Sequence, residues 1–171
     1  IGPDGLFTAI ATDRSSYTAV LVRIDPDGSI GVVADDLAFP NGVVTVDGGS
    51  TLVVAQTLGL ELTAFDKAAD GSLSNRRTWA PLVGSDGSFI APDGTCTDAD
   101  GGIWVANALA AEVVRVEEGG AVTHRVATSQ FAFACAVGGP DGRHLLVCTA
   151  ESGTAEIAAA APNGRLEIVE I

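Results

Sequence analysis

Two short stretches set an oxygen-bearing side chain between a proline and a glycine: Pro40-Asn41-Gly42 and Pro92-Asp93-Gly94. An amide and a carboxylate are hard oxygen donors of the kind calcium and magnesium accept. A carboxylate is also a candidate general base for activating water. Both tripeptides also suit plain turns, because Asn and Asp before Gly are ordinary turn residues. The Pro before each fixes φ and donates nothing to a ladder, which suits the entry of a strand. Gly42 and Gly94 are expected to let the backbone turn sharply there. The Pro-Asn-Gly motif returns at Asn163 ahead of the alternation RLEIVEI, where it reads as a hairpin turn.

The elements that must position these residues show up as an internal repeat. VDGGSTLVVAQ, DADGGIWVAN and GPDGRHLLVCT share an Asp-Gly turn, an apolar strand and a small-then-polar ending, and GPDGLFTAIAT opens the chain as a further copy. After each comes an alternating strand, a tight turn and one more strand, as in AEVVRVEEGGAVTHRV. Ala108 to Glu118 has helix-forming composition, but the alternation around Gly119-Gly120 predicts two strands instead. Four strands per unit at a period of about 45 residues is the signature of a β-propeller blade, which manages sheet edges by radial repetition. The chain is therefore expected to be all-β, with about four blades' worth of propeller in one partial domain over residues 1–171.

In a propeller the innermost strand of each blade lines the axis. FPNGVVTV, APDGTCTD and FAFACAVG stand ahead of successive units, so Asn41, Asp93 and a position near Cys135 are expected at equivalent places. Two oxygen donors converging from neighbouring blades would form a site for a hard cation. Gln56, Asn107 and Thr149 close three equivalent strands and are candidates for the substrate channel, against the plainer reading of polar strand ends. Cys135 is a further channel candidate, though a thiol in an apolar run is inert unless its pKa is lowered.

Charge and composition exclude other classes. The net charge is −13, with a single lysine, Lys67, and eight arginines, so nucleic-acid binding, which needs clustered cations, is not expected. No apolar run approaches the ~20 residues of a membrane helix. The three cysteines form no CxxC pair, and their odd number fits a reducing compartment, with all three read as buried small hydrophobes. His124 and His144 match no metal spacing and are expected at the surface, whereas Trp79 and Trp104 read as packing aromatics. DPDGSIGVVADD resembles a calcium loop but lacks the sixth-position Gly and reads as a hairpin. There is no GxSxG, HExxH or phosphate loop.

The segments DDLAFPNGVVTVDGGSTLVVAQ, LTAFDKAADGSLSNRRTWAPL, APDGTCTDADGGIWVANA and AFACAVGGPDGRHLLVCTA, in that order, resemble the regucalcin, gluconolactonase and luciferin-regenerating-enzyme family of six-bladed propellers. The resemblance runs over nearly the whole chain and covers the family's last four blades. It implies that Asn41 and Asp93 are ligands of one divalent metal, calcium first, with zinc, magnesium or manganese as alternatives. It also makes Asp93 the general base of a lactonase that opens a sugar-type or small lactone. The family's third ligand, a Glu in an early Gly-Glu-Gly-Pro-like segment, and its early Arg-x-Asn-Asp-Gly substrate stretch have no counterpart here. A chain that begins at Ile1 within a repeat and contains no Met is expected to be part of a larger ring, its partner being the N-terminal blades as another segment or chain. The other reading is a propeller that binds a metal or small ligand without turnover. Cytoplasmic location and a GC-rich bacterial source complete the expectations.

Overall fold

The computed structural model describes residues 6–13 and 17–171, with side chains described for 6–9 and 17–171. The opening GPDG copy of the repeat lies outside the described residues. Four antiparallel sheets follow one another along the chain. The first holds β1 (Leu6–Asp13), β2 (Thr18–Ile24) and β3 (Ile30–Ala38). The second runs β4 (Pro40–Val46), β5 (Thr51–Gln56), β6 (Glu61–Lys67), β7 (Leu73–Pro81). The third runs β8 (Pro92–Thr97), β9 (Ile103–Asn107), β10 (Glu112–Val116), β11 (Val122–Ala127). The fourth holds β12 (Phe131–Gly138), β13 (His144–Ala150) and β14 (Arg165–Glu170), with a short helix α1 (Ala155–Ala160) before β14. The two strands expected around Gly119-Gly120 are β10 and β11.

Each sheet is a meander because Gly-bearing turns recur at fixed places. Between β2 and β3 the Asp25 N–H donates to Ser29 O and the Gly28 N–H to Asp25 O, both at 2.9 Å. The same pair of bonds closes β6–β7 at Ala68 to Ser72 and β10–β11 at Glu117 to Ala121. The calcium-loop lookalike at residue 25 is thus a hairpin.

The core lies between sheets rather than within one. On β5, Leu52 and Val54 pack toward the first sheet with Leu21, Leu37 and Phe65. Their neighbours Val53 and Ala55 pack the other way, with Ile103 and Val105 of β9 and with Trp79. Strand β9 repeats this, since Trp104 and Ala106 turn toward Leu145 and Val147 of the fourth sheet. A strand buried on both faces reads as a continuous apolar run, which is why TLVVAQ and IWVAN show no alternation. Burying each of these side chains contributes roughly 1.5–3 kcal/mol, so the sheet-to-sheet interfaces dominate the net hydrogen-bond terms. The innermost strands β4, β8 and β12 lie side by side. Among the described residues no helix is long and apolar enough to cross a membrane.

Candidate functional site

The inner strands carry a defect at the same point in three sheets. Pro40 pairs with Gln56, but the register slips before Val43 meets Val54. Pro92 pairs with Asn107 and slips before Thr95 meets Val105. Ala132 pairs with Thr149 and slips before Ala134 meets Cys148. Each slip puts one extra residue on the inner strand, and such bulges re-aim a side chain. The bulges hold Asn41-Gly42, Asp93-Gly94 and Phe133. Phe133, and not Cys135, therefore stands where Asn41 and Asp93 stand; Cys135 lies two residues further on, level with Val43 and Thr95.

The two glycines serve close approach. Neither Gly42 nor Gly94 has a left-handed backbone, so the expected sharp turn is not their purpose. A Cβ on Gly42 would lie 2.6 Å from Thr95 N and 2.7 Å from Asp93 O. One on Gly94 would lie 2.8 Å from Ala134 Cα and 2.9 Å from Phe133 O. Backbone thus touches backbone from β4 to β8 to β12, and only glycine permits it. The residue ahead of the first bulge is also special. Phe39, directly before Pro40, has φ 54°, a strained left-handed conformation for a bulky side chain. It is held by a hydrogen bond from its N–H to Tyr17 O at 2.8 Å and one to its carbonyl from Thr57 N–H at 3.0 Å.

This contact sets the bulges that hold Asn41 and Asp93 against each other, and the Asn41 amide favours the ionised form of the Asp93 carboxylate. Burial pushes the Asp93 pKa up from 3.8 to about 6, against the opposing hydrogen bonds from Asn41 and the Gly94 backbone. Desolvation wins because no cation pairs with Asp93 among the described residues. Two residues along, the Thr95 hydroxyl oxygen is buried and unpartnered. An uncompensated carboxylate, an amide oxygen and an orphaned hydroxyl make a hard-oxygen donor set, which fits a divalent cation. Of these three side chains only Asp93 is charged, and among the described residues no group of three or more His, Cys, Asp or Glu gathers.

Gln56, Asn107 and Thr149 sit at the ends of β5, β9 and β13, and all are buried, with 2–3% exposure. Their polar atoms face inward. Gln56 Oε1 accepts from the Ala38 N–H at 2.6 Å, and Nε2 donates to Thr63 at 2.7 Å and to Glu61 at 2.9 Å. Asn107 Oδ1 accepts from the Ala91 and Leu109 N–H groups at 3.2 and 3.3 Å, while Nδ2 donates to Glu112 at 3.1 Å. Thr149 donates to Glu167 at 2.8 Å and lies 3.4 Å from Gln130 Oε1. In two sheets the amide therefore latches the chain just ahead of the inner strand, holding the entry to Asn41 or Asp93. The signal was in the sequence as a polar residue five positions before Glu, in QTLGLE and NALAAE.

Other expectations resolve simply. Asn163 does not sit in a two-residue hairpin; residues 151–164 join β13 to β14, and Asn163 fastens that connection by bonding Glu151 at 2.9 and 3.3 Å. Cys148 is exposed, whereas Cys96 and Cys135 are half-buried, so none of the three is the fully buried hydrophobe expected. His124 is exposed and His144 half-exposed, and both tryptophans are in the core.

The sequence model of the SMP-30/gluconolactonase/LRE-like region matches residues 1–151. Regucalcin of Xenopus laevis is 30% identical over 166 residues, covering 91% of this chain and 54% of its own length. L-arabinolactonase of Azospirillum brasilense is 32% identical over 123 residues, covering 72% of this chain and 40% of its own. The structure of a regucalcin from Agrobacterium tumefaciens, described as a calcium-binding protein, superposes with a TM-score of 0.77 at 22% identity, over 98% of this chain and 58% of that one. The chain thus spans about half the length of the relatives it matches.

Proposed function

The chain belongs to the SMP-30/gluconolactonase/LRE-like family, and from that premise we propose that Asn41 and Asp93 form part of a metal-assisted lactonase site. The observation that carries the reading is the juxtaposition of Asn41 and Asp93 in matching bulges of two inner strands in backbone contact, beside the orphaned Thr95 hydroxyl. Lactone opening near neutral pH needs a base that is ionised yet basic enough to take a proton from water. The Asn41 amide orients the carboxylate while adding no negative charge.

Asp93 and Asn41 would hold the divalent ion, with calcium the first candidate. When bound, that ion supplies Lewis acidity to the lactone carbonyl and stabilises the developing oxyanion. The chain's own part is mechanical and protic. The bulges aim the two side chains, Gly42 and Gly94 bring their strands into contact, and Gln56 and Asn107 fix the strand entries. Asp93 accepts the proton of the attacking water and returns it as the ring opens. The substrate class, by likeness to gluconolactonase and arabinolactonase, is a sugar-derived lactone.

The deciding experiment follows hydrolysis of gluconolactone by pH-indicator assay, with calcium or chelator, for wild type and Asp93→Ala. Removing a general base costs typically 10²–10⁴-fold, and a variant that retains wild-type metal-dependent turnover overturns the assignment. Calcium-dependent stabilisation without hydrolysis would support the ligand-binding reading instead.

A further inference from the structure

We propose that Cys96 and Cys135 are a redox-active dithiol that a hydroperoxide closes into a disulfide joining the third and fourth sheets. Their sulfurs are 3.6 Å apart, one on β8 and one on β12, adjacent inner strands of neighbouring sheets. Both residues are half-buried, so the pair is neither sealed in the core nor open to large reagents. A disulfide requires sulfurs about 2.05 Å apart, so they must close by roughly 1.5 Å. That is within the reach of side-chain torsions, because both strands already run in contact where Gly94 meets Phe133 and Ala134.

The local chemistry separates the two thiols. A hydrogen bond joins the two sulfurs. Cys135 is also held from behind, its sulfur 3.5 Å from the Trp104 carbonyl and 3.7 Å from the Gly94 carbonyl. Cys96 is therefore the attacking sulfur and Cys135 the resolving one. The Cys96 thiolate attacks one peroxide oxygen, the O–O bond breaks, and the departing hydroxide takes a proton to become water. This leaves a sulfenic acid on Cys96. The Cys135 sulfur then attacks the Cys96 sulfur, the S–O bond breaks, and the leaving hydroxide takes the Cys135 proton as a second water. Two thiols have lost two electrons and two protons, and one hydrogen peroxide has become two waters.

The resulting bond would pin β8 to β12 three residues beyond Asp93. The proposal stands on this thiol geometry and does not depend on lactonase activity. To test it, reduced protein is treated with equimolar hydrogen peroxide, and free thiols, intact mass and a non-reducing peptide map are measured. The expected result is loss of two of the three thiols, a mass lower by two hydrogens, and a Cys96–Cys135 cross-linked peptide with Cys148 free. Dithiothreitol should reverse all three. Cys135→Ser should instead leave a sulfenic acid on Cys96 that dimedone traps. The map of the wild-type protein decides the matter even if that variant folds poorly. Oxidation confined to Cys148, a Cys148-linked dimer as the only disulfide, or Cys96 passing to sulfinic acid without cross-linking overturns the proposal.

Discussion

Replacing Asp93 by Asn should stabilise the chain at neutral pH when no divalent cation is present. Burial holds the Asp93 pKa at about 6 against 3.8 for the unperturbed group. A carboxyl whose folded pKa lies above its unfolded value favours folding fully only below the unfolded value, and that favour is lost as pH rises through about 6. The loss amounts to about 3 kcal/mol at the ceiling, at 1.36 kcal/mol per pKa unit, and water reaching the half-buried group lowers it. With a urea slope on the order of 2 kcal/mol/M, the midpoint should differ by up to roughly 1.5 M. The assay is urea unfolding in chelator at about pH 4 and pH 7.5, read by the fluorescence of the buried Trp79 and Trp104. Other carboxylates, such as Asp66 and Asp70, are shifted the opposite way, and they cancel in the difference between wild type and variant. Asp93→Asn should match wild type within a few tenths of a kcal/mol near pH 4 and exceed it at pH 7.5. Calcium should stabilise wild type at pH 7.5 and leave the variant unmoved. A difference that is flat with pH, or a variant less stable at pH 7.5 than at pH 4 relative to wild type, would refute the reasoning.

Gly94→Ala should cost about 1–3 kcal/mol in urea unfolding and weaken calcium-dependent stabilisation, because the new Cβ meets Ala134 Cα at 2.8 Å. Asn107→Ala strips the Ala91 and Leu109 N–H groups of their acceptor and should cost about 1–3 kcal/mol, and Asn107→Asp should recover little of it at neutral pH, because a buried carboxylate there cannot donate to Glu112 and meets it as a like charge. Arg115→Met should cost roughly 3 kcal/mol at neutral pH, since Asp98 would lose the guanidinium 2.6 Å away. Burial raises the Asp98 pKa, but the Arg115 hydrogen bond, the guanidinium charge and the Gly102 and Asp100 N–H groups together outweigh it and hold the carboxyl below its ordinary value. The wild-type contribution is therefore present above the unfolded pKa and lost as pH falls through the folded one, and in the variant the acid limb of the stability profile should move to higher pH.

Much of the architecture was legible because one repeat imposes one solution on each sheet. VDGGSTLVVAQ and DADGGIWVAN have few residue identities in common, yet their apolar runs both become strands buried on two faces. The Pro-x-Gly motif marked the right place on the inner strand. Its chemistry there was harder to read, since Asn-Gly encodes a tight turn and a close backbone approach equally well; only the distance from Gly42 to Thr95 separates them. The register in the fourth sheet escaped for a related reason. FAFACAVG carries no Pro or Gly at the bulge, so counting along the apolar run settled on Cys135 when the extra residue was Phe133. The inward bonding of Gln56 and Asn107 depends on partners in the following strand, which a scan for exposed polar ends does not seek.

The second strand of a sheet serves two neighbours at once: Val53 belongs to one core and Leu52 to another. A sheet is consequently not an interchangeable cassette. Grafting one into a different ring would succeed only if the facing walls on either side were transplanted with it. Diversification in such a chain should therefore gather in its turns and outermost strands, and leave the party walls alone.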